Sequence, residues 1–311
     1  METNTQTQPQ TTDHIDIRNW LPRRQNERDT NKIEFGHVIV FAGSRGYTGA
    51  AILVAEAAQR AGAGLVTVAI PENLESLIVS RLSPVIMTCG FSGIHHSSLN
   101  AHVVEAALAL TEKATVAAMG PGIGLGFEVS EFVHQFTERC PLPLVIDADA
   151  LTLLANMKDH GQSLIRNRQS TTVLTPHPAE LARLLGVSTE TIQNDRFAAI
   201  KQAVKIYGCV VLLKGFHTLI ADSNEKIYLN MTGNPGLSSA GSGDVLTGVI
   251  AGFLAQNLSA HQAAIAAAFV HGVAADIIAI ENGGTIGIIA TDLIAHLPNA
   301  ISKCQQTTKQ S

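Results

Sequence analysis

Short apolar runs alternate with stretches of helical periodicity along most of the chain. The short runs are rich in β-branched residues, as buried strands are, and the longer stretches repeat their apolar positions at helical spacing. The predicted strands are His37–Ala42, Leu65–Ile70, Thr115–Met119, Leu144–Ile146, Thr172–Leu174 and Val210–Leu213. The predicted helices between them are Ala50–Ala61, Asn100–Lys113, Glu128–Arg139, Ala150–Met157 and Thr189–Tyr207. This alternation predicts an α/β fold with helices on both faces of a mostly parallel sheet.

The C-terminal part of the chain departs from this alternation. Thr218–Ala221 and Ile227–Asn230 flank a polar turn and predict a β-hairpin. A loop rich in Gly and Ser then leads into an apolar helical pattern at Asp244, and two further helices are predicted at Ala260–Ile280 and Thr291–Ile301.

No linker rich in Pro or Ser and no run of charge divides the chain. We therefore predict a single folded domain at residues 31–301. A polar, partly disordered N-terminal tail is predicted at residues 1–30, and a polar C-terminal tail at residues 302–311.

Composition narrows the function. The chain has 311 residues, 46% of them hydrophobic, and a net charge of −5, so no basic field favours a nucleic-acid partner. Its four cysteines lie far apart without a CxxC pair, which argues against disulfides and zinc and favours a cytoplasmic location. The longest apolar tract, Ala263–Ile280, contains His271 and Asp276 and predicts a buried helix rather than a membrane span.

The most distinctive stretch is the Gly-rich turn before the helix that starts at Asp244. The first amide groups of a helix have no partner inside it, so the turn Gly241–Gly243 is a candidate anion site. A helix-capping role is the simpler explanation for Asp244 alone. Gly248 and Gly252 follow at helical spacing and predict close contact with another backbone.

Polar and Gly-rich loops follow most of the predicted strands. Because ligands of open α/β sheets bind at the carboxyl ends of the strands, these loops predict one shared site. They are residues 43–49, 120–124, 147–149, 177–180, 214–218 and 241–244. The spacing Gly43-x-x-Gly46-x-x-Gly49 does not match the dinucleotide fingerprint, and the chain has no P-loop motif.

Each of these polar residues also has a structural explanation. His177 lies between two prolines and could belong to a rigid turn. Glu180 could lie in a first helical turn, and Asp147 or Asp149 could cap the next helix. Lys214 could extend from its strand to solvent or reach a phosphate.

The motifs GSRGYTGAA, GPGIG, VIDADAL, TPHPAE, LLKGFHT and NPGLSSAGSGDVLTG together resemble the ADP/ATP-dependent NAD(P)H-hydrate dehydratases. The resemblance extends from Lys32 to Leu297 and implies a ribokinase-like three-layer α/β/α sandwich. It also implies repair of (6S)-NADHX and NADPHX to NADH and NADPH, with Mg²⁺ and with ADP or ATP as phosphoryl donor. Several such enzymes carry an N-terminal epimerase domain. Only about 30 residues precede the match here, so that activity is expected to be absent.

The resemblance also implies roles for individual residues. Asp244 would be the base that takes the proton of the C6 hydroxyl. The other implied positions are Gly241, Ser242 and Gly243 as an anion hole; Lys214, Gly215, Phe216, His217, Thr218 and Gly243 for the nucleotide; Ala50, Gly122, His177 and Asp244 for the hydrated substrate; and Glu180 for Mg²⁺ through water.

Two other functions remain open from the sequence. A ribokinase-like kinase of hydroxymethylpyrimidine, thiazole or pyridoxal would be similar at the GSGD helix, but such kinases commonly have Asn at the loop that carries His177 here. A nucleotide sensor without turnover would have no use for a base at Asp244. The Ala-rich helix and the resemblance both favour a homo-oligomer, with a tetramer as one size, and no membrane partner.

Overall fold

A computed structural model describes residues 10–11, 17–21, 30–92, 98–222, 224 and 226–306. Most of the predicted N-terminal tail and residues 307–311 of the predicted C-terminal tail lie outside these described residues.

The described strands form one ten-stranded sheet. Its order is β1-β10-β9-β8-β7-β6-β5-β2-β3-β4, and neighbours are parallel except β9, which is antiparallel to both β8 and β10. The strands are β1 Gln10–Thr11, β2 His37–Phe41, β3 Leu65–Pro71, β4 Met87–Phe91, β5 Val116–Met119, β6 Leu144–Ile146, β7 Thr172–Leu174, β8 Val210–Leu213, β9 Leu219–Ala221 and β10 Ile227–Leu229. The predicted parallel sheet and C-terminal hairpin are confirmed.

Helices cover both faces of this sheet. Along β2, Val38 and Val40 enter one apolar core while Ile39 and Phe41 enter the other, as strand periodicity requires. The first core packs under α1 Thr48–Arg60, α2 Glu72–Val79, α10 Ser242–Ala255, α11 Ala260–Asn282 and α12 Ala290–Gln306. The second packs under α3 Val104–Thr111, α4 Phe127–Arg139, α5 Ala148–Asn156, α6 Asp159–Arg166, α7 Pro178–Leu185, α8 Thr189–Asn194 and α9 Arg196–Tyr207. The layers are therefore α/β/α, as predicted.

Several elements differ from the sequence-based expectation. The prediction of a single helix at Thr189–Tyr207 is wrong. The segment is divided at Asp195, whose non-helical backbone ends α8 and whose carboxylate accepts a hydrogen bond from the Ala198 amide to begin α9. Helices α2 and α6 and strand β4 were not predicted. Gln10–Thr11, expected to be disordered, pairs with β10, and α12 continues five residues beyond its predicted end at Ile301.

Helices α1 and α10 are in backbone contact. A Cβ atom on Gly248 would lie 2.2 Å from the carbonyl oxygen of Val54 and 2.7 Å from the Cβ of Ala57. A Cβ on Gly252 would lie 2.8 Å from the Ala58 oxygen. The predicted close packing at the two glycines is confirmed, and it fixes where both helices begin relative to each other.

Among the described residues, α11 alone has the length and apolarity of a membrane-crossing helix, and 72% of its apolar segment is buried within the molecule. His271, at 6% exposure, lies in this core, and burial lowers its pKa to about 4. The prediction of a buried helix is therefore confirmed.

Candidate functional site

The loops at the carboxyl ends of the parallel strands are hydrogen-bonded to one another. The loop after β2 joins the loop after β5, because the Gly43 amide donates to the Pro121 oxygen at 2.8 Å and Ser44 Oγ donates to the Gly122 oxygen at 2.8 Å. The Gly124 amide donates to Asp149 Oδ2 at 2.9 Å. These bonds bring the predicted loops to one edge of the sheet.

The turn before α10 has the form of an anion site. Gly241 is the N-cap residue at φ 84°, and a Cβ there would lie 2.5 Å from Leu53 Cδ1, so this position requires glycine. Ser242 Oγ donates to the Leu237 oxygen at 2.7 Å and holds the turn. The Ser242 amide donates to the Ser239 oxygen at 3.3 Å. An incoming anion would compete with that oxygen for this amide.

Asp244 lies in the first turn of α10 and does not cap it. Gly241 is the cap residue, and no side chain makes a capping hydrogen bond at this helix start. Burial raises the pKa of Asp244, the charges of Asp147, Asp149 and Glu180 also raise it, and Lys214 lowers it, with a net value of about 7. The carboxyl group is therefore balanced between its two protonation states near neutral pH, which suits proton transfer.

Asp147 is the centre of the polar network behind this carboxylate. Lys214 Nζ lies 2.6 Å from Asp147 Oδ1, and Thr247 Oγ1 donates to Asp147 Oδ2 at 2.7 Å. Asp147 is only 1% exposed and makes no side-chain cap bond, so the capping explanation fails for it. The network ties the ends of β6 and β8 to α10.

Lys214 keeps its charge within this network. Burial lowers the pKa of Lys214, but the charges of Asp147, Glu180 and Asp244 and the hydrogen bond to Asp147 together outweigh that effect, so the net pKa is raised. A Cβ on Gly243 would lie 3.4 Å from Lys214 Nζ, which places the lysine next to the Gly-rich turn. A persistent positive charge beside helix-terminal amides favours a phosphate.

His177 and Glu180 cap the start of α7 together. His177 Nδ1 accepts from the Ala179 amide at 3.1 Å, while Glu180 Oε2 accepts from the His177 amide at 2.8 Å. The rigid-turn explanation is thus correct for the backbone of His177. Because Nδ1 accepts a hydrogen bond, the proton of the neutral ring lies on Nε2. Burial, and then the charge of Lys214, lower the pKa of His177, so the ring is a neutral donor at the site.

Ala50 and Gly122 lie side by side. A Cβ on Gly122 would lie 3.1 Å from the Ala50 Cβ and 2.8 Å from the Tyr47 Cβ. The exposed side chains of Tyr47 and Leu125 belong to the same two loops, and exposed Phe127 begins α4 directly after the second loop. The predicted substrate-contacting residues from β2 and β5 therefore share one surface.

The loop after β8 contains the other predicted nucleotide-contacting residues. Gly215 has φ 137° and His217 has φ 54°, two left-handed conformations within three residues. The Phe216 ring is 83% exposed and stacks on His217, with centroids 3.7 Å apart. Thr218 Oγ1 donates to the Gly215 oxygen at 3.1 Å and closes the loop.

Two residues that organise this site, Thr247 and Arg196, were not predicted from the sequence. Thr247 is one turn beyond Asp244, so its spacing could have placed it on the same helix face. Arg196, which contacts the loop after β8, gave no sequence signal, because it opens a helix that the pattern merged with its neighbour. Asp149 is not a cap either, since it binds the Gly124 amide.

No group of three or more His, Cys, Asp or Glu side chains among the described residues could hold a metal by itself. Magnesium ions at phosphate sites are held by one or two carboxylates with substrate phosphates, so a single carboxylate such as Glu180 beside the anion turn fits that chemistry. Glu180 is buried, and its Oε2 lies 3.8 Å from Lys214 Nζ.

Comparison with known proteins gives concordant results. The sequence profile of a family described as NAD(P)H-hydrate dehydratase matches residues 38–299. The ADP-dependent (S)-NAD(P)H-hydrate dehydratase of Neisseria meningitidis serogroup B is 38% identical over 267 residues, which cover 85% of this chain and 84% of that protein. The bifunctional NAD(P)H-hydrate repair enzyme Nnr of Coxiella burnetii is 42% identical over 281 residues, which cover 89% of this chain and 52% of that protein. The chain thus spans about half the length of the first curated relatives it matches.

Solved structures agree with the sequence comparison. The ADP/ATP-dependent NAD(P)H-hydrate dehydratase of Bacillus subtilis, co-crystallized with ATP and Mg²⁺, matches with a TM-score of 0.77 at 27% identity, over 95% of this chain and 98% of that one. A ribokinase-like superfamily protein is also among the matching structures. The predicted ribokinase-like fold is therefore confirmed.

Proposed function

Since this chain belongs to the NAD(P)H-hydrate dehydratase family, we propose that it catalyses the ADP-dependent dehydration of (6S)-NADHX and NADPHX to NADH and NADPH. The observation that carries this proposal is the carboxyl group of Asp244, which has a pKa of about 7, directly follows the Gly241–Gly243 turn and interacts electrostatically with Lys214. A base beside an anion site is what transfer of a phosphoryl group to an alcohol needs.

The chemistry explains why a kinase-like site would catalyse a dehydration. Hydroxide is a poor leaving group, whereas phosphate is a good one. Asp244 would accept the proton of the C6 hydroxyl as that oxygen attacks the terminal phosphoryl group of the nucleotide. The lone pair of the ring nitrogen would then expel phosphate, and loss of a proton from the neighbouring ring carbon would restore the dihydronicotinamide.

The remaining proposed roles follow the geometry of the loops. The Gly241, Ser242 and Gly243 turn would hold the transferring phosphoryl group, and Lys214 would add its fixed charge. Residues 214–218 with Gly243 would hold ADP or ATP. Ala50, Gly122 and the Nε2 donor of His177 would position the hydrated ring.

Glu180 would hold Mg²⁺ through water. When bound, the ion would offset negative charge on the nucleotide phosphates. Glu180 also accepts the His177 amide, so its orientation is fixed by α7 before any ion arrives.

The activity is tested by mixing the protein with hydrated NADH, Mg²⁺ and ADP, and following both the near-ultraviolet absorbance of NADH and phosphate release. We expect one phosphate for each NADH, and Asp244→Asn should reduce the rate by about 10²-fold or more. Asp159→Asn is a matched control, because Asp159 is also a first-turn aspartate but is exposed on α6.

Two outcomes would contradict the proposal. Absence of NADH with either ADP or ATP would exclude the dehydratase. An accumulating phosphorylated small alcohol, with no elimination, would instead support the ribokinase-like kinase, whereas nucleotide binding without any turnover would support the sensor.

We further propose that the chain forms a homo-oligomer in the cytoplasm. The four cysteines are free thiols in the structure, and this agrees with a reducing compartment.

A further inference from the structure

The side chain of Arg196 is hydrogen-bonded to the main chain at the end of β8 and in the loop that follows it. Its guanidinium group donates Nη1 to the Phe216 oxygen and Nη2 to the oxygens of Leu213 and Lys214, at 3.2 and 3.4 Å. It thereby spans the main chain from the end of β8 to the exposed aromatic ring. A Cβ on Gly215 would lie 3.2 Å from Nη2, so the guanidinium packs directly against the loop.

Among the residues that the structure describes, no acidic side chain pairs with the charge of this arginine. Burial lowers the pKa of Arg196, and no acidic group among the described residues offsets that effect. An arginine nevertheless remains protonated, so a half-buried positive charge is held by carbonyl oxygens and not by a carboxylate. Partial burial of a charge costs stability, and the hydrogen bonds to main-chain oxygens offset part of that cost.

The loop that Arg196 contacts has an unusual backbone conformation. It combines the left-handed residues Gly215 and His217 with a phenylalanine whose ring is 83% exposed. Strained backbone persists only where surrounding contacts determine it, and here three of those contacts are hydrogen bonds from the Arg196 guanidinium to main-chain oxygens. A planar fork of donors suits this task, whereas the single ammonium of lysine does not.

We infer that Arg196 is a positioning residue for the nucleotide. By fixing the carbonyls of Leu213, Lys214 and Phe216, it holds the loop in the conformation that presents the Phe216 ring and the loop amides to an adenine nucleotide, and its charge adds to the attraction for the phosphates. This inference rests on the proposed function, because that function assigns the nucleotide to this loop.

The test measures binding rather than turnover, with isothermal calorimetry for ADP and fluorescence for NADPH. We expect Arg196→Ala to weaken ADP binding about tenfold or more, and Arg196→Lys to recover little of the loss. Binding of NADPH, which would use the loops after β2 and β5, should change less than about twofold. Millimolar guanidinium chloride should partly restore ADP binding to Arg196→Ala, whereas sodium chloride at the same concentration should not.

Arg166→Ala is the matched control, since Arg166 is exposed and donates to the single carbonyl of Lys205. It should leave both affinities unchanged. Equal losses of ADP and NADPH binding in Arg196→Ala, without rescue, would mean a general structural role and would overturn the inference. Unchanged ADP binding would overturn it as well, while the proposed function would stand. A wild-type protein that binds no adenine nucleotide would instead overturn the proposed function together with this inference.

Discussion

The state of Asp244 is decided by competition between its surroundings. Burial and three neighbouring carboxylates disfavour its charge, and Lys214 alone favours it. The result is an aspartate with a pKa of about 7 instead of the ordinary 3.8. A carboxylate with this pKa accepts protons far better than an exposed aspartate does, yet about half of it is ionised at neutral pH and more of it above.

This pKa predicts the pH dependence of the reaction. Asp244 must be ionised to accept a proton, so kcat/KM should fall about tenfold per pH unit below pH 7 and level off above it. Burial lowers the pKa of His177, so protonation of this ring belongs to a more acidic range than the limb expected near pH 7. Initial rates measured from acid to neutral pH give this profile. A fall in kcat/KM centred near pH 3.8 would show that burial does not raise the pKa of Asp244.

Residue roles could be predicted only where the sequence carries a local signal. The GSGD turn and TPHPAE identify their own helix starts, and the structure brings both to one edge of the sheet. The link between Asp147 and Thr247 spans 100 positions, and Arg196 reaches Phe216 from 20 positions away. Such contacts depend on strand order, which apolar periodicity does not encode.

Among the elements, α1 and α10 place the two halves of the proposed reaction. Helix α1 starts beside Ala50, which is proposed to contact the hydrated ring, and α10 starts at the turn proposed to hold the phosphoryl group. Their contact depends on two glycines whose absent side chains let the backbones touch. Gly248 and Gly252 were identified from spacing alone, because close packing leaves a pattern of small residues in the sequence.

Gly248→Ala should therefore destabilise the protein despite the better helix propensity of alanine. The new methyl group would meet the Val54 oxygen, and separating the helices should cost about 1–3 kcal/mol. Chemical denaturation measures this loss. In Gly284→Ala, the control, the added Cβ meets nothing within 4 Å, so stability should hold. Equal midpoints for the two variants would contradict the close contact.

Other elements escaped prediction for physical reasons. Strand β4 is an edge strand that carries Cys89 and Gly90 and is only partly buried, so it lacks the continuous apolar run of the inner strands. Helix α2 begins immediately after β3, with no loop to mark the change. Merging α8 with α9 was an error of the same kind, because their helical periods join almost without a gap.

In the whole molecule, strand order determines which loops, and so which functional side chains, lie next to one another. The fold class followed from the alternation of elements, and the fold places loops from β2, β5, β6, β7 and β8 at one edge. The antiparallel hairpin of β9 and β10 extends the sheet beyond β8, so the loop of residues 214–218 lies between a parallel and an antiparallel neighbour. An overall net charge of −5 does not prevent this edge from concentrating helix starts that favour anions.

The proposed homo-oligomer predicts the mass of the particle in solution. Sedimentation velocity at micromolar concentration should give a mass several times that of one chain, with a tetramer as the size to test. A single species with the mass of one chain, unchanged on concentration, would contradict it.

The touching backbones of α1 and α10 also limit how the protein could adapt. Because their backbones touch, a tilt of either helix would also displace the other. The distance between the acceptor alcohol and the phosphoryl donor would therefore stay constant during thermal motion and during sequence divergence. A lineage could exchange residues in the loop of residues 120–126 to accommodate a different alcohol, while the spacing between donor and acceptor stays inherited. Selectivity and reactivity would then evolve separately, because they depend on different parts of the same framework.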